Sequence, residues 1–218
     1  MIPIRDVIPS RSRPVVTLGL MAVNATVFLA GLAASPTPLE LQLTWGLIPA
    51  TVAPQQLLSS LFIHDGWIHL IGNLWALWMF GDNVEDRLGR LPFLAFYLLV
   101  GTLAGLTVVL AAPALLAPIV GANGAIAGVI GAYFTLYPRS KILVLTPVLW
   151  SVDLVEVPAL AFAGFWLAAQ LILGLGRGIE PISGLLLLSH GVALAAGAGL
   201  MWSLRHRRSE RYWWERRR

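Results

Sequence analysis

The chain has 218 residues, of which 57% are hydrophobic and only 12% are charged, about half the charged fraction of an ordinary soluble domain. Most of the surface therefore faces something other than water, and apolar runs of roughly twenty residues, the length that crosses a bilayer, recur along the chain. The absence of cysteine excludes disulfides, thiolate metal sites and cysteine nucleophiles. We predict an all-α polytopic membrane protein.

Six apolar spans define one membrane domain over 14–204, between an N-terminal segment 1–13 and a basic tail 205–218. The first span could instead be a cleaved signal peptide, because arginines precede it and small residues lie near Ala33, although its apolar run is longer than usual for a signal peptide. The predicted spans are 14–34, 66–80 with an interfacial lead-in from 58, 91–113, 118–137, 157–176 and 183–204.

The distribution of basic residues predicts the orientation. Placing both termini in the cytoplasm leaves Arg177 as the one basic residue on the outer side, as the positive-inside rule expects. The arginines of the tail alternate with aromatic residues and either bind the inner leaflet, at about 1 kcal/mol for each charge, or act only as a topology signal. We predict six transmembrane helices with cytoplasmic N- and C-termini in a cell inner (plasma) membrane, and no binding of nucleic acid.

Two connections differ from simple turns. Residues 35–65, rich in Pro, Leu and Gln, are too many for a tight turn and too apolar to extend into water. We predict a loop that is partly embedded in the outer interface. On the inner side, the acidic segment "GDNVEDRLGR" is predicted to connect spans two and three.

Four polar residues lie near the outer ends of spans that run from outside to inside: His69 and Asn73 in span two, Asn123 in span four and His190 in span six. His69 and Asn73 are four residues apart and share one helix face. At a rise of 1.5 Å per residue, Asn123 and His190 both lie about 10 Å below the outer surface. Because amide and ionisable groups at such depth usually face a bundle interior or a water-filled cavity, the four residues predict one outward-opening polar pocket.

Each of these residues also has a structural explanation. A histidine in a membrane helix often makes only a hydrogen bond between helices, and Asn123 could be the N-cap of a helix that starts below the surface. Small residues in spans four and six predict close packing that would bring Asn123 and His190 within hydrogen-bonding range. These residues are Gly121, Gly124, Gly128 and Gly131 in span four and Gly191, Ala193, Ala195 and Gly197 in span six.

Three strings of the sequence resemble the rhomboid intramembrane serine protease family over about residues 58–200: "FIHDGWIHLIGNLWALWMFGDNVEDRLGRLPFLAFYLLVG", "VGANGAIAGVIGAYFTLYP" and "SHGVALAAG". The His-x-x-x-Asn of span two, a Gly-x-x-x-Glu-x-x-x-Gly formed by Gly81, Glu85 and Gly89, the glycine-rich fourth span and the histidine of the last span occur in order. The resemblance implies a six-helix rhomboid-like bundle whose cavity opens outward, where transmembrane protein substrates are cleaved.

The resemblance also assigns roles to residues. The nucleophile position is Asn123, the general base position is His190, and the oxyanion-hole positions are His69 and Asn73. Further positions are structural: Gly121, Gly124, Gly128 and Glu85. The family requires Gly-x-Ser-Gly, but this chain has Gly-Ala-Asn-Gly. A carboxamide has no hydroxyl proton for His190 to remove, and loss of such a nucleophile costs about 10⁶-fold in turnover in serine proteases of other folds.

Other hydroxyl groups lack the glycine-rich setting of Asn123. Ser59 and Ser60 precede span two, Thr102 lies in span three, and Ser189 is expected to point away from His190. His64 is interpreted as an interfacial or loop-fixing residue rather than a zinc ligand. Because no His-Glu-x-x-His spacing occurs, we expect neither a metal nor a cofactor.

Three functions are compatible with these patterns. The first is a pseudoprotease that binds a transmembrane segment or client without hydrolysing it. The second is an active intramembrane serine endopeptidase, in which Asn123 is an engineered or atypical replacement of the catalytic serine or the nucleophile lies elsewhere. The third is a channel or transporter, for which the spans offer neither a pair of broken helices nor a buried acid for ion coupling. The expected partners are the lipid bilayer and a transmembrane substrate or client.

Overall fold

The computed structural model describes residues 2–10, 12–34, 38–148, 151–175 and 180–205. Two residues that enter the predicted topology, Arg11 and Arg177, lie outside these ranges, as does the basic tail beyond Arg205. The elements in chain order are β1 (Ile2–Asp6), α1 (Val15–Ala34), α2 (Pro38–Trp45), α3 (Gln56–Ser59), α4 (Trp67–Leu88), α5 (Arg90–Ala111), α6 (Asn123–Leu136), β2 (Lys141–Val148), β3 (Ser151–Pro158), α7 (Ala159–Leu175) and α8 (Glu180–Arg205).

Each predicted span overlaps one of these helices, and the protein is mostly α-helical, as expected. Within the described ranges, three helical stretches are long and apolar enough to cross a membrane: Val15–Ala34, Arg90–Ala111 and Gly184–Leu204. The predicted outer loop contains the short helices α2 and α3 and exposes Leu39, Leu43 and Trp45. Such apolar side chains are suited to an interface with lipid.

Helix α6 is the innermost element of the bundle. Its residues from Gly124 to Tyr133 are all buried, and it packs against α4, α5 and α8. With 14 residues it is about 21 Å long, which is shorter than the ~30 Å hydrocarbon core. The helix is shorter than the predicted span 118–137, since the chain before Asn123 is not helical. Non-helical backbone at membrane depth is tolerated where protein buries it or where it lines a cavity.

Glycines allow α6 and α8 to touch backbone to backbone. A Cβ placed on Gly197 would collide with the carbonyl oxygen of Gly128, and one on Gly131 would collide with that of Leu194. Gly191 and Gly199, also in α8, have open space where a Cβ would lie. The contact surface of α8 therefore includes Gly197 and excludes these two glycines.

Helix α4 is longer than predicted. It continues through the acidic segment, expected to be a connection, and ends at Gly89, whose φ of 87° stops the helix. The acids stay helical because the N-terminal segment supplies their partners: Ser10 donates to Asp82 at 2.8 Å, and the backbone and hydroxyl of Ser12 donate to Asp86 at 2.9 and 2.7 Å.

Glu85, in α4, caps the N-terminal end of α1. Its carboxylate is buried and accepts the backbone N–H groups of Val16 and Thr17 at 2.9 and 2.7 Å, as well as the Thr17 hydroxyl at 2.8 Å. The first N–H groups of a helix have no partner within it, and a carboxylate there also interacts favourably with the helix dipole. Gly81, one turn earlier in α4, leaves room for Thr17, since a Cβ there would lie 3.0 Å from the Thr17 methyl group.

The expectation of an all-α fold is wrong in one respect, because β1, β2 and β3 form an antiparallel sheet in that order. Strands β2 and β3 are a hairpin between α6 and α7, and β1 adds the N-terminal segment to its edge. Ile142 and Val144 are buried, whereas Leu143 and Leu145, which alternate with them, are partly exposed. This alternation and the β-branched residues are typical of a strand. They occur in a segment that is predicted from the sequence to be only a connection on the inner side.

A buried carboxyl group joins the sheet to the helices. Asp6, the last residue of β1, accepts hydrogen bonds on Oδ2 from Asn83 Nδ2 at 2.8 Å and from the Tyr133 hydroxyl at 2.7 Å. Burial raises the pKa of Asp6 from 3.8 to about 7; the hydrogen bond from Tyr133 opposes this shift, and the nearby charge of Asp82 adds to it. Between about pH 4 and pH 7, the carboxyl group of Asp6 is therefore protonated in the folded protein and ionised in the unfolded chain.

The first prediction concerns the contact between α6 and α8. Gly197→Ala should destabilise the protein by about 1–3 kcal/mol, the usual cost of overpacking. The new methyl group would overlap the backbone of Gly128, so the two helices would have to move apart. Gly199→Ala is the matched control and should be neutral or stabilising by up to ~1 kcal/mol. Unfolding by SDS titration in mixed micelles measures both. Equal effects of the two substitutions would contradict the proposed interface.

The second prediction concerns pH. Because the pKa of Asp6 is higher in the folded protein than in the unfolded chain, folding binds a proton between about pH 4 and pH 7, and stability falls as pH rises through this window. Asp6→Asn keeps an acceptor oxygen but cannot ionise, so its stability should change less over the same window. The difference between the two unfolding midpoints, followed against pH, measures the effect. Parallel pH profiles would show that Asp6 does not titrate as described.

Candidate functional site

One cavity of about 800 Å³ lies at the end of the bundle where α6 begins. Its wall combines the start of α4, one face of α5, the start of α6, part of α8 and the connection before α4. The polar and small residues of this wall include Ser60, Asp65, His69, Gly121, Asn123, Ser189 and His190. Three of the four residues predicted to share a pocket, His69, Asn123 and His190, thus line the same cavity.

The start of α6 is held by two neighbouring segments. Leu47 and Ile119 exchange backbone hydrogen bonds at 2.9 and 2.8 Å, and the Gly121 N–H donates to the carbonyl oxygen of Ser60 at 2.9 Å. Gly121 has a φ of 111°, which L side chains rarely adopt. The chain then turns into α6 with Ala122 at the N-cap and Asn123 as the first helical residue, so Asn123 is not the N-cap that the alternative explanation required.

His69 has an acidic partner that sequence reasoning did not identify. Its Nδ1 lies 2.8 Å from Oδ1 of Asp65, and the two side chains are only 10% and 13% exposed. The other edge of the ring faces the start of α6, where a Cβ on Gly121 would lie 2.5 Å from both Cε1 and Nε2 of His69. Two features therefore favour glycine at position 121: the positive φ angle of its backbone and the His69 ring, which leaves no room for a Cβ.

Asn73 has a different partner from the one its predicted role requires. Its Nδ2 donates to Nε2 of His64 at 3.1 Å, and Nδ1 of His64 lies 3.3 Å from the carbonyl oxygen of Phe62. Burial lowers the pKa of His64 to about 4, with a further contribution from His69, so the His64 ring is neutral and offers Asn73 a lone pair. Asn73 is not among the residues that line the cavity, whereas the contact of His64 with the carbonyl oxygen of Phe62 connects its ring to the loop.

His190 is buried, and its ring centroid lies 6.4 Å from that of Trp166 in α7. Ser189 also lines the cavity, contrary to the expectation that it faces away, and its hydroxyl donates to the carbonyl oxygen of Leu186 at 2.8 Å. Ser59, by contrast, donates to the carbonyl oxygen of Trp45 at 2.7 Å.

Chemically, the cavity combines imidazole groups with an amide at the start of a helix. Within the described part of the chain, no group of three or more His, Asp or Glu residues could hold a metal ion. Two contacts of the site were missed, Asp65 with His69 and His64 with Asn73. The first joins residues only four positions apart, Asp65 just before α4 and His69 in its first turn, a proximity visible in the sequence, whereas the second joins residues nine positions apart across a bend.

Three relatives with known names are similar to part of the chain. Rhomboid protein 1, mitochondrial, of Saccharomyces cerevisiae is 37% identical over 91 residues, or 40% of this chain and 26% of the relative. Presenilin-associated rhomboid-like protein A, mitochondrial, of Danio rerio is 38% identical over 93 residues, or 41% and 24%. Presenilin-associated rhomboid-like protein, mitochondrial, of Mus musculus is 28% identical over 129 residues, or 58% and 34%. The matches span only about a quarter to a third of these relatives.

These relatives correct one expectation. The predicted cell inner (plasma) membrane is contradicted, because all three are named as mitochondrial proteins. The multi-pass membrane character of the chain is supported, and with it the lipid bilayer as a partner. A rhomboid domain is matched over residues 53–207, which is more than half of the chain, and this protein therefore belongs to the rhomboid family.

Proposed function

We propose that this chain is a rhomboid pseudoprotease that binds transmembrane segments of other proteins in the cavity at the start of α6, without hydrolysing them. The observation that carries the proposal is the amide of Asn123, which is the first residue of α6 and lines the same cavity as His69 and His190. A base without a hydroxyl partner cannot produce the nucleophile of a serine hydrolase.

The surroundings of Asn123 support binding rather than catalysis. Its side chain is larger than that of serine and lines the cavity, so it would compete for space with the carbonyl group of a scissile bond. The adjacent backbone cannot shift to make room, because Gly124 packs against the Cβ of Ala104 and Gly128 against the side chain of Val100. The cavity of about 800 Å³ is large enough for part of an unwound peptide segment.

The proposal includes a topology and a location. We infer that α1, α4, α5, α6, α7 and α8 all cross the membrane, with both termini on one side and the cavity opening to the other. Basic residues flank the predicted spans on one side, which supports this arrangement. The names of the relatives favour a mitochondrial membrane as the location.

An active serine endopeptidase is the second candidate function. One specific observation favours it: Ser60 and Ser189 both line the cavity that contains His190 and His69. However, the Ser189 hydroxyl donates to its own helix, and Ser60 begins only a three-residue 3-10 helix, Ser60–Phe62, that continues directly from α3.

The third prediction tests catalysis. The unchanged protein should not cleave a labelled transmembrane substrate in proteoliposomes, whereas Asn123→Ser should restore cleavage, since a hydroxyl then lies in the cavity of His190. The expected gain is large, because the nucleophile of such sites accounts for about 10⁶-fold in turnover. Cleaved product on a gel and labelling by a fluorophosphonate are the measurements.

Two controls accompany this test. Asn123→Ala removes the amide without adding a hydroxyl and should remain inactive, and Asn123→Ser combined with His190→Ala should lose the restored activity. Cleavage or fluorophosphonate labelling by the unchanged protein would overturn the pseudoprotease proposal. Loss of that labelling on Ser60→Ala or Ser189→Ala would then identify the nucleophile.

The fourth prediction tests binding. A photo-crosslinking amino acid at Leu186, which lines the cavity, should capture a reconstituted transmembrane segment in a manner that saturates with its concentration. The same probe at Leu110, which is 80% exposed near the end of α5, reports collisions in the bilayer and should not saturate. Equal, unsaturated capture at the two positions would show that the cavity does not bind such segments.

A further inference from the structure

The carboxylate of Asp65 determines which nitrogen of His69 carries the proton. Oδ1 of Asp65 lies 2.8 Å from Nδ1 of His69, and an ionised carboxylate only accepts hydrogen bonds. Nδ1 must therefore be the donor. A neutral imidazole carries one proton, so Nε2 then has a lone pair instead of an N–H group.

Nε2 is the atom that His69 presents to the start of α6. It is buried and makes no hydrogen bond to any described residue, and it packs against Gly121, which lines the cavity. The ring is also in edge contact with His64, with centroids 5.0 Å apart. The ionisable groups that face it are thus Asp65 and His64 from the preceding segment and His190 from α8.

We propose that Asp65 is a positioning residue for His69, which holds the ring proton on Nδ1 so that Nε2 carries a proton only when the ring is cationic. The role assigned to His69 by resemblance, donation to an oxyanion, requires a proton on Nε2. In this chain that donor exists only after a second proton binds to the ring, and the neutral ring offers an acceptor in its place.

The position of the proton on His69 does not depend on the proposed function. Its effect on a bound segment does, because that effect requires that the cavity binds one. A neutral His69 accepts a hydrogen bond from an N–H or O–H group of a bound segment. A carbonyl oxygen of that segment finds a donor at Nε2 only when the ring is charged. The cavity thus selects between the two kinds of backbone group according to the protonation of one ring.

The fifth prediction tests this inference without a client, so that its outcome is independent of whether the protein binds one. The chain has four histidines, and in protein labelled with ¹⁵N-histidine in nanodiscs, His69→Gln assigns the signals of residue 69. Nitrogen chemical shifts distinguish the two neutral forms of the ring from the cation. We expect the neutral His69 ring to be protonated at Nδ1.

Asp65→Ala removes the acceptor at Nδ1. The ratio of Nδ1–H to Nε2–H forms should fall by at least about tenfold, the factor that corresponds to ~1.4 kcal/mol and to the lower range for a hydrogen bond to a charged group. Asp153→Ala, which removes an exposed carboxylate from β3, is the matched control and should leave the ratio unchanged.

Two results would overturn the inference: a neutral His69 ring that carries its proton on Nε2 in the unchanged protein, or an unaltered ratio in Asp65→Ala. A role of Asp65 in folding alone would lower stability without changing the form of the ring in the molecules that remain folded. If Asp65→Ala does not fold, the spectrum of the unchanged protein decides the question by itself.

Discussion

The contact between the backbones of α6 and α8 is the constraint on which the rest of the structure depends. Gly128 and Gly197 meet without side chains between them, so that a helix of only 14 residues can be enclosed on all sides. Because α6 is short and the chain before it is not helical, its first residue lies beside the cavity that the surrounding segments leave. The position of Asn123, and its place in one cavity with His190, follow from this close packing.

Much of this arrangement could be predicted from residue type and spacing. Apolar runs of about twenty residues identify the helices because lipid leaves few alternatives for the backbone. Polar side chains in such runs are costly and tend to share a cavity, which predicts one pocket for His69, Asn73, Asn123 and His190. The lining of the cavity includes all of these except Asn73. The family is identified by the same residues in order, and the match to a rhomboid domain confirms it.

The features that were missed depend on partners far away in the sequence. The acidic end of α4 has the composition of a loop, but hydrogen bonds from Ser10 and Ser12 to its carboxylates stabilise it as a helix. The alternating pattern of β2 is hard to recognise because the strand is apolar overall. Asn73 shares a helix face with His69, yet its amide bonds to His64, which comes from a bend that no periodicity predicts. In each case a tertiary contact, rather than a local preference, determines the structure.

The contact between Glu85 and the start of α1 has a consequence for biogenesis. The carboxylate that completes the first turn is 68 residues downstream of Thr17, so a ribosome releases the whole of α1 well before this partner exists. Until α4 has been synthesised, the N–H groups of Val16 and Thr17 lack this partner and depend on water or other polar groups. Strand β1 acquires its partner later still, because β2 is synthesised only after α5 and α6, and the N-terminal segment is thus among the last parts of the described chain to reach its final contacts.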